Sequence, residues 1–70
     1  MKITDSKSFG TAIRTRRKEL GYTQLELSKI TGLSASFLSD LERGKKTIEL
    51  GKALFIANML GLDINLNKRG

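Results

Sequence analysis

The stretch "TQLELSKITGLSASFLSDLERG", residues 23–44, places two helical patterns end to end, joined by only Gly32, Leu33 and Ser34. A turn that short cannot fold two helices back on one another as antiparallel neighbours, so they must cross steeply. Thr23 opens the first as an N-cap, and Glu26, three residues on, completes a capping box. Gly32 follows that helix where a left-handed residue is needed. Ser34 then caps the second helix. Leu27 and Thr31 are expected to face inward from the first, Leu38 and Leu41 from the second. Such a pair either completes a small core or holds one helix out from the body of the domain.

Outward from this stretch, glycine supplies the punctuation, since the chain has no proline. Upstream, Asp5 caps a helix expected over about 6–20, with Phe9, Ile13, Arg17 and Leu20 on one stripe. Downstream, Thr47 is expected to cap a fourth helix over about 48–60, with Leu50, Leu54, Ala57 and Leu60 inward. The central pair covers about 24–31 and 35–43. The period then changes. In "LDINLN", Leu62, Ile64 and Leu66 alternate with Asp63, Asn65 and Asn67, the pattern of a half-buried strand over about 62–67. A lone strand leaves its backbone groups unsatisfied, and no second strand candidate exists in the chain. Its expected partner is the same strand of a second copy, resting near Phe55 and Met59.

Composition narrows the function. The chain has 70 residues, a single domain's worth, with 13 Lys and Arg against 7 Asp and Glu, for a net charge of +6. That balance suits an anionic partner, nucleic acid foremost, against the plainer reading of solvated helix faces. No Cys and no His removes thiol nucleophiles, disulfides, the usual zinc ligands and imidazole acid–base chemistry together. Asp40 and Glu42 lie too close along one helix to face each other across a substrate, and "GK" at Gly44 lacks the spacing of a phosphate loop. No enzyme, cofactor or metal site is expected. Neither a signal peptide nor a membrane-length apolar run is found, which points to a cytoplasmic protein.

A helix, a short glycine-containing turn and a second helix crossing steeply form the helix-turn-helix unit. Ser28 is small where the two helices come closest, and Leu27, Leu33, Leu38 and Leu41 supply the inner surface. Ser34, Ala35, Ser36, Ser39, Asp40 and Arg43 are left on the outer face of the third helix, small or polar as a face entering the major groove must be. The segment "RRKELGYTQLELSKITGLSASFLSDLERGK" resembles the lambda-repressor-like (Xre or Cro/C1-type) helix-turn-helix family over about residues 6–61. The resemblance implies that Gln24, opening the second helix, binds a DNA phosphate. It also implies that Arg17 pairs with Glu42 of the "LERG" motif. Arg17 lies on the inner stripe, where an unpaired charge is costly, so the residues give their own reason for that pair. The family usually continues into a fifth helix, whereas this chain ends in a strand pattern. That ending is similar to the HipB-like antitoxins, whose C-terminal strands pair across the dimer two-fold. That likeness implies an autoregulating repressor that binds a HipA-like kinase toxin. The alternative is a free-standing phage-type or mobile-element regulator without a toxin.

The candidate base-reading residues are Ser34, Ala35, Ser36, Ser39 and Asp40. Serine hydroxyls read bases weakly, and Ala35 suits a thymine methyl. The first three helical positions hold no Gln, Asn or Arg, so specificity leans on Asp40, Arg43, DNA shape and dimer spacing. The candidate phosphate ligands are Arg17, Thr23, Gln24, Arg43, Lys45 and Lys46, with Arg14 and Arg16 open between phosphate contact and a solvated face. Phe37 is expected to be partly buried. Leu25 and Ile30, apolar on the outer side of the second helix, suit a protein partner.

Overall fold

Each helix begins where a side chain accepts a backbone N–H that the helix itself leaves unpaired. The computed structural model describes residues 2–70, with α1 over Ser6–Glu19, α2 over Gln24–Thr31, α3 over Ala35–Glu42 and α4 over Leu50–Met59. Asp5 Oδ1 accepts from Ser8 N at 2.8 Å, and the Ser8 hydroxyl accepts from Asp5 N in return. Thr23 and Glu26 exchange the same two bonds at the start of α2. Ser34 Oγ accepts from Phe37 N and opens α3. The apolar stripes exposed by these starts meet in one core of Ile13, Leu27, Leu38, Leu41, Ala53, Ile56, Ala57 and Leu60. Burying a leucine or isoleucine side chain of this kind contributes ~1.5–3 kcal/mol. Phe9, Leu33, Phe37, Ile48 and Leu62 close its margin.

Two local features set the steep turn. Gly32 takes φ 77° as the C-cap of α2, a left-handed conformation that a side chain disfavours. The Ser28 hydroxyl donates to the Leu33 carbonyl at 2.6 Å, tying the end of α2 to the residue before the next cap. That bond needs a short hydroxyl-bearing side chain at the crossing. α3 then packs on both α1 and α2, with its buried edge on Leu38, Leu41 and Glu42.

The fourth helix departs from the expected phase. Its N-cap is Glu49, whose side chain accepts from Lys52 N, and the helix starts at Leu50 rather than two residues earlier. Ile48 N donates to the Lys45 carbonyl at 3.2 Å, so Thr47 lies inside a turn instead of at a cap. The buried stripe becomes Ala53, Ile56, Ala57 and Leu60, which leaves Leu50 exposed and Leu54 half-buried. Leu20 is likewise exposed, as the C-cap of α1 beyond its buried stripe.

Residues 62–70 form no strand within this single chain. Leu62 is held to the end of α4 by its N–H donating to the Ala57 carbonyl at 2.9 Å, and it packs against the core. Leu62 and Ile64 border a groove of about 250 Å³ together with Ile3, Phe9, Ala12, Ile13, Ala57 and Asp63. Within the single chain, Leu62 to Ile64 therefore lie along α1 and α4. Leu66 stands 97% exposed. Among the described residues no helix is long and apolar enough to cross a membrane.

Candidate nucleic-acid interface

The outer face of α3 is short and polar because its apolar residues, Leu38 and Leu41, are spent on the core. Ser36 is exposed there, while Ala35 and Ser39 are half-buried beside it. Ser34 is exposed at the cap, its Oγ accepting from Phe37 N and so partly committed to the helix. Phe37 is half-buried against the core, with Lys52 Nζ 5.9 Å from its ring centroid. That places a cation of α4 beside the third helix by a cation–π contact. Lys52 was not foreseen from the sequence, since nothing local to α4 signals a contact with Phe37.

Behind this face Arg17 reaches from α1 to Glu42 at the end of α3. Its Nε and Nη2 donate to the two carboxylate oxygens at 2.7 and 2.9 Å, and its Nη1 donates to the Tyr22 carbonyl at 2.7 Å. The residues are 7% and 8% exposed, so the pair is a buried, bidentate one. The hydrogen bonds it donates to Glu42 push the guanidinium pKa up, against the opposing effect of desolvation. No buried side-chain nitrogen or oxygen among the described residues lacks a partner. The expectation that Arg17 also touches phosphate is set aside: its guanidinium is buried and turned to Glu42 and Tyr22.

Gln24 lies over the same pair, its Nε2 donating to Glu42 Oε1 at 3.1 Å. An amide nitrogen carries two N–H groups, so one is anchored and the other is free to donate outward. Thr23 just before it is exposed, but its hydroxyl accepts from Glu26 N in the cap. The backbone hydrogen bond made within that cap, at Thr23, holds the Glu26 carboxyl below its ordinary range.

At the far end of α3, Asp40 faces the chain's own cations. Its Oδ1 accepts from Arg43 Nη2 at 2.7 Å and its Oδ2 from Lys45 Nζ at 3.5 Å. The Arg43 and Lys45 side chains are 72% and 53% exposed, and Asp40 is 27% exposed. The hydrogen bond from Arg43 is the main cause holding the Asp40 carboxyl below the usual carboxylate range; burial opposes it, and the charge of Lys45 adds to it. Lys46 is exposed beside them. The i,i+3 spacing of Asp40 and Arg43 was the signal in the sequence for this contact. Arg14 is exposed on α1, whereas Arg16 donates to the Leu60 carbonyl at 2.9 Å and so closes the end of α4. Leu25 and Ile30 are exposed on α2.

Comparison with known proteins adds to this geometry. A family model described as Helix-turn-helix matches residues 13–67. The uncharacterised HTH-type transcriptional regulator y4mF of Sinorhizobium fredii is 35% identical over 65 residues, covering 93% of this chain and 86% of its own length. The ImmF control region 10 kDa protein of Bacillus phage phi105 is 36% identical over 66 residues, or 94% and 73% of the two chains. Among solved structures, the HipB-O4 20mer complex superposes with a TM-score of 0.87 at 26% identity, covering 100% of this chain and 99% of that one. The HipA-HipB-O2-O3 complex contains a chain similar to the same degree, with a TM-score of 0.87 at 26% identity over 100% and 99% of the two.

Proposed function

The chain belongs to the lambda-repressor-like helix-turn-helix family of transcriptional regulators, and from that premise we propose that it is a homodimeric, sequence-specific DNA-binding repressor of the HipB-like antitoxin kind. α3 enters the major groove with Ser34, Ala35, Ser36 and Ser39 toward the base edges. The free N–H of Gln24 and the cations Arg43, Lys45 and Lys46 take phosphates on either side. The buried Arg17–Glu42 pair fixes α1, the start of α2 and the end of α3 as one body, so the phosphate ligands and the reading helix keep a common register. A half-site read this way is short, and two copies related by a two-fold are needed to reach useful specificity.

The observation that carries this reading is the likeness to HipB over the whole chain, the segment after α4 included. A strand at about 62–67, with Leu62, Ile64 and Leu66 on its apolar side, is the proposed dimer element. A HipA-like kinase is the proposed second partner. The likeness to a phage phi105 control-region protein favours a second reading, a phage-type regulator with no toxin. A gel-shift titration against salt tests the shared part. Each copy brings a net +6, so affinity for duplex DNA should fall steeply as counterions are released. Flat salt dependence overturns DNA binding. Co-purification from the native source separates the two readings, because only the antitoxin carries a kinase with it.

A further inference from the structure

We infer that Asp40 is a specificity-determining residue that couples phosphate contact to base contact, by holding Arg43 and Lys45 until a base offers its carboxylate another donor. The inference rests on the DNA-reading role proposed above. Both carboxylate oxygens are occupied in the free protein, Oδ1 by Arg43 at 2.7 Å and Oδ2 by Lys45 at 3.5 Å. The two cations are thereby tied to Asp40, although their side chains are 72% and 53% exposed and able to leave. Asp40 itself lies in the last turn of α3, on the face that carries Ser36 and Ser39.

Two binding states follow from the chemistry of a carboxylate that only accepts. Where the facing base pair presents an exocyclic amine, cytosine N4 above all, the carboxylate has a replacement donor. Arg43 and Lys45 can then swing to phosphates without stranding a negative charge. Where no amine is presented, releasing the cations leaves a bare carboxylate in the groove beside phosphates, a like-charge juxtaposition that is strongly unfavourable. On such a sequence the cations stay on Asp40 and fewer phosphates are neutralised. Asp40 thus weakens binding to the wrong sequences more than to the right one. This is discrimination by a repulsive element, which suits a helix whose first positions hold no Gln, Asn or Arg.

The test uses the full chain, a duplex enriched by it from random 20-mers, and a shuffled duplex of the same composition. Each cation moved to phosphate steepens the logarithmic salt dependence by about 0.9, so the enriched duplex should show a slope steeper by about 1.8 per copy. Asp40→Asn should raise affinity for the shuffled duplex by roughly tenfold and erase most of the slope difference. Equal slopes for the unaltered protein on the two duplexes overturn the coupling without any variant. Asp40→Asn that leaves shuffled binding unchanged and weakens only the enriched duplex also overturns it, in favour of a plain base contact. If no sequence is enriched, the sequence-specific reading itself fails, and this inference with it.

Discussion

Arg17 is a charge on the core stripe of α1, and its tolerance there depends on a single residue of another helix. Glu42→Ala removes both carboxylate acceptors and leaves a buried guanidinium with only the Tyr22 carbonyl. Breaking one side of a buried pair costs ~3–5 kcal/mol, a large part of a small domain's stability. The same change also releases Gln24 Nε2, so DNA affinity should fall even in conditions where the variant remains folded. Replacing Arg17 by Met and Glu42 by Leu together should cost less than Glu42→Ala alone, since no charge is left uncompensated. Urea melts of the two variants measure the difference, and a loss below about 1 kcal/mol for Glu42→Ala would mean the pair behaves as an exposed one. Gly10 carries a second residue-scale constraint. A Cβ there would lie 2.3 Å from the Leu41 carbonyl oxygen and 2.8 Å from that of Glu42. Because backbone and not a flexible side chain stands in the way, Gly10→Ala must push α1 off α3. A destabilisation of ~1–3 kcal/mol or more is expected in the same melts, together with weaker DNA binding as the third helix shifts.

The helices themselves are fixed by caps whose acids respond to pH. The backbone bonds of the caps, at Ser8 for Asp5 and at Thr23 for Glu26, hold these carboxyls below their ordinary values of 3.8 and 4.5. A folded value lower than the unfolded one means the unfolded chain binds more protons in that window, so stability rises with pH there. The contribution is complete above the ordinary values and is lost as pH falls through the depressed ones. The urea midpoint should therefore be nearly level between neutrality and about pH 5 and decline below it. Asp5→Asn with Glu26→Gln should make that acid decline shallower and lower the neutral midpoint; an unchanged acid limb would assign it to other carboxylates. These caps were legible because a capping box is a local i,i+3 arrangement, readable from residue types alone. The Arg17–Glu42 contact was legible for a different reason: a charge on an apolar stripe demands a partner, and the family resemblance pointed to Glu42 as that partner. The start of α4 was not legible, because the Lys45–Ile48 turn delays it by two residues and rotates the buried stripe onto Ala53 and Ile56. Leu20 and Leu50 misled for a general reason, that apolar residues are common on surfaces and only a buried polar group is informative. The places of Gln24 at the start of α2 and of the polar face of α3 followed from the motif, and their contact with DNA is the proposal made above. The tie between Asp40 and its two cations did not, although its spacing was in view.

At the scale of the whole molecule the unresolved demand is the apolar tail. Leu66 is a large side chain left 97% exposed, and Ile64 is exposed at the rim of the groove between α1 and α4. A helical domain with these residues in water is poorly served, and a period-two segment satisfies its backbone by pairing with itself across a two-fold axis. Two strands alone are marginal, so such a ribbon must also rest on the helical bodies, which the half-buried Leu62 already does. Leu62 belongs to the fold of each copy, through its bond to the Ala57 carbonyl, and deleting it would confuse stability with assembly. Leu66→Asp separates the two. In a lone chain it alters a side chain that touches solvent and should change stability by less than about 0.5 kcal/mol. In a strand-paired dimer it sets an acid into the shared apolar face, opposite or near its own symmetry mate. Sedimentation should then show a folded monomer at micromolar concentration, with circular dichroism unchanged in the helical region. DNA affinity should fall by several orders of magnitude, because the second half-site is bound by a separate molecule and the linkage between them is gone. Removal of residues 65–70 should act in the same direction. A Leu66→Asp protein that still sediments as a dimer and binds as before would move the two-fold interface away from the tail, and with it the part of the HipB likeness that lies beyond α4.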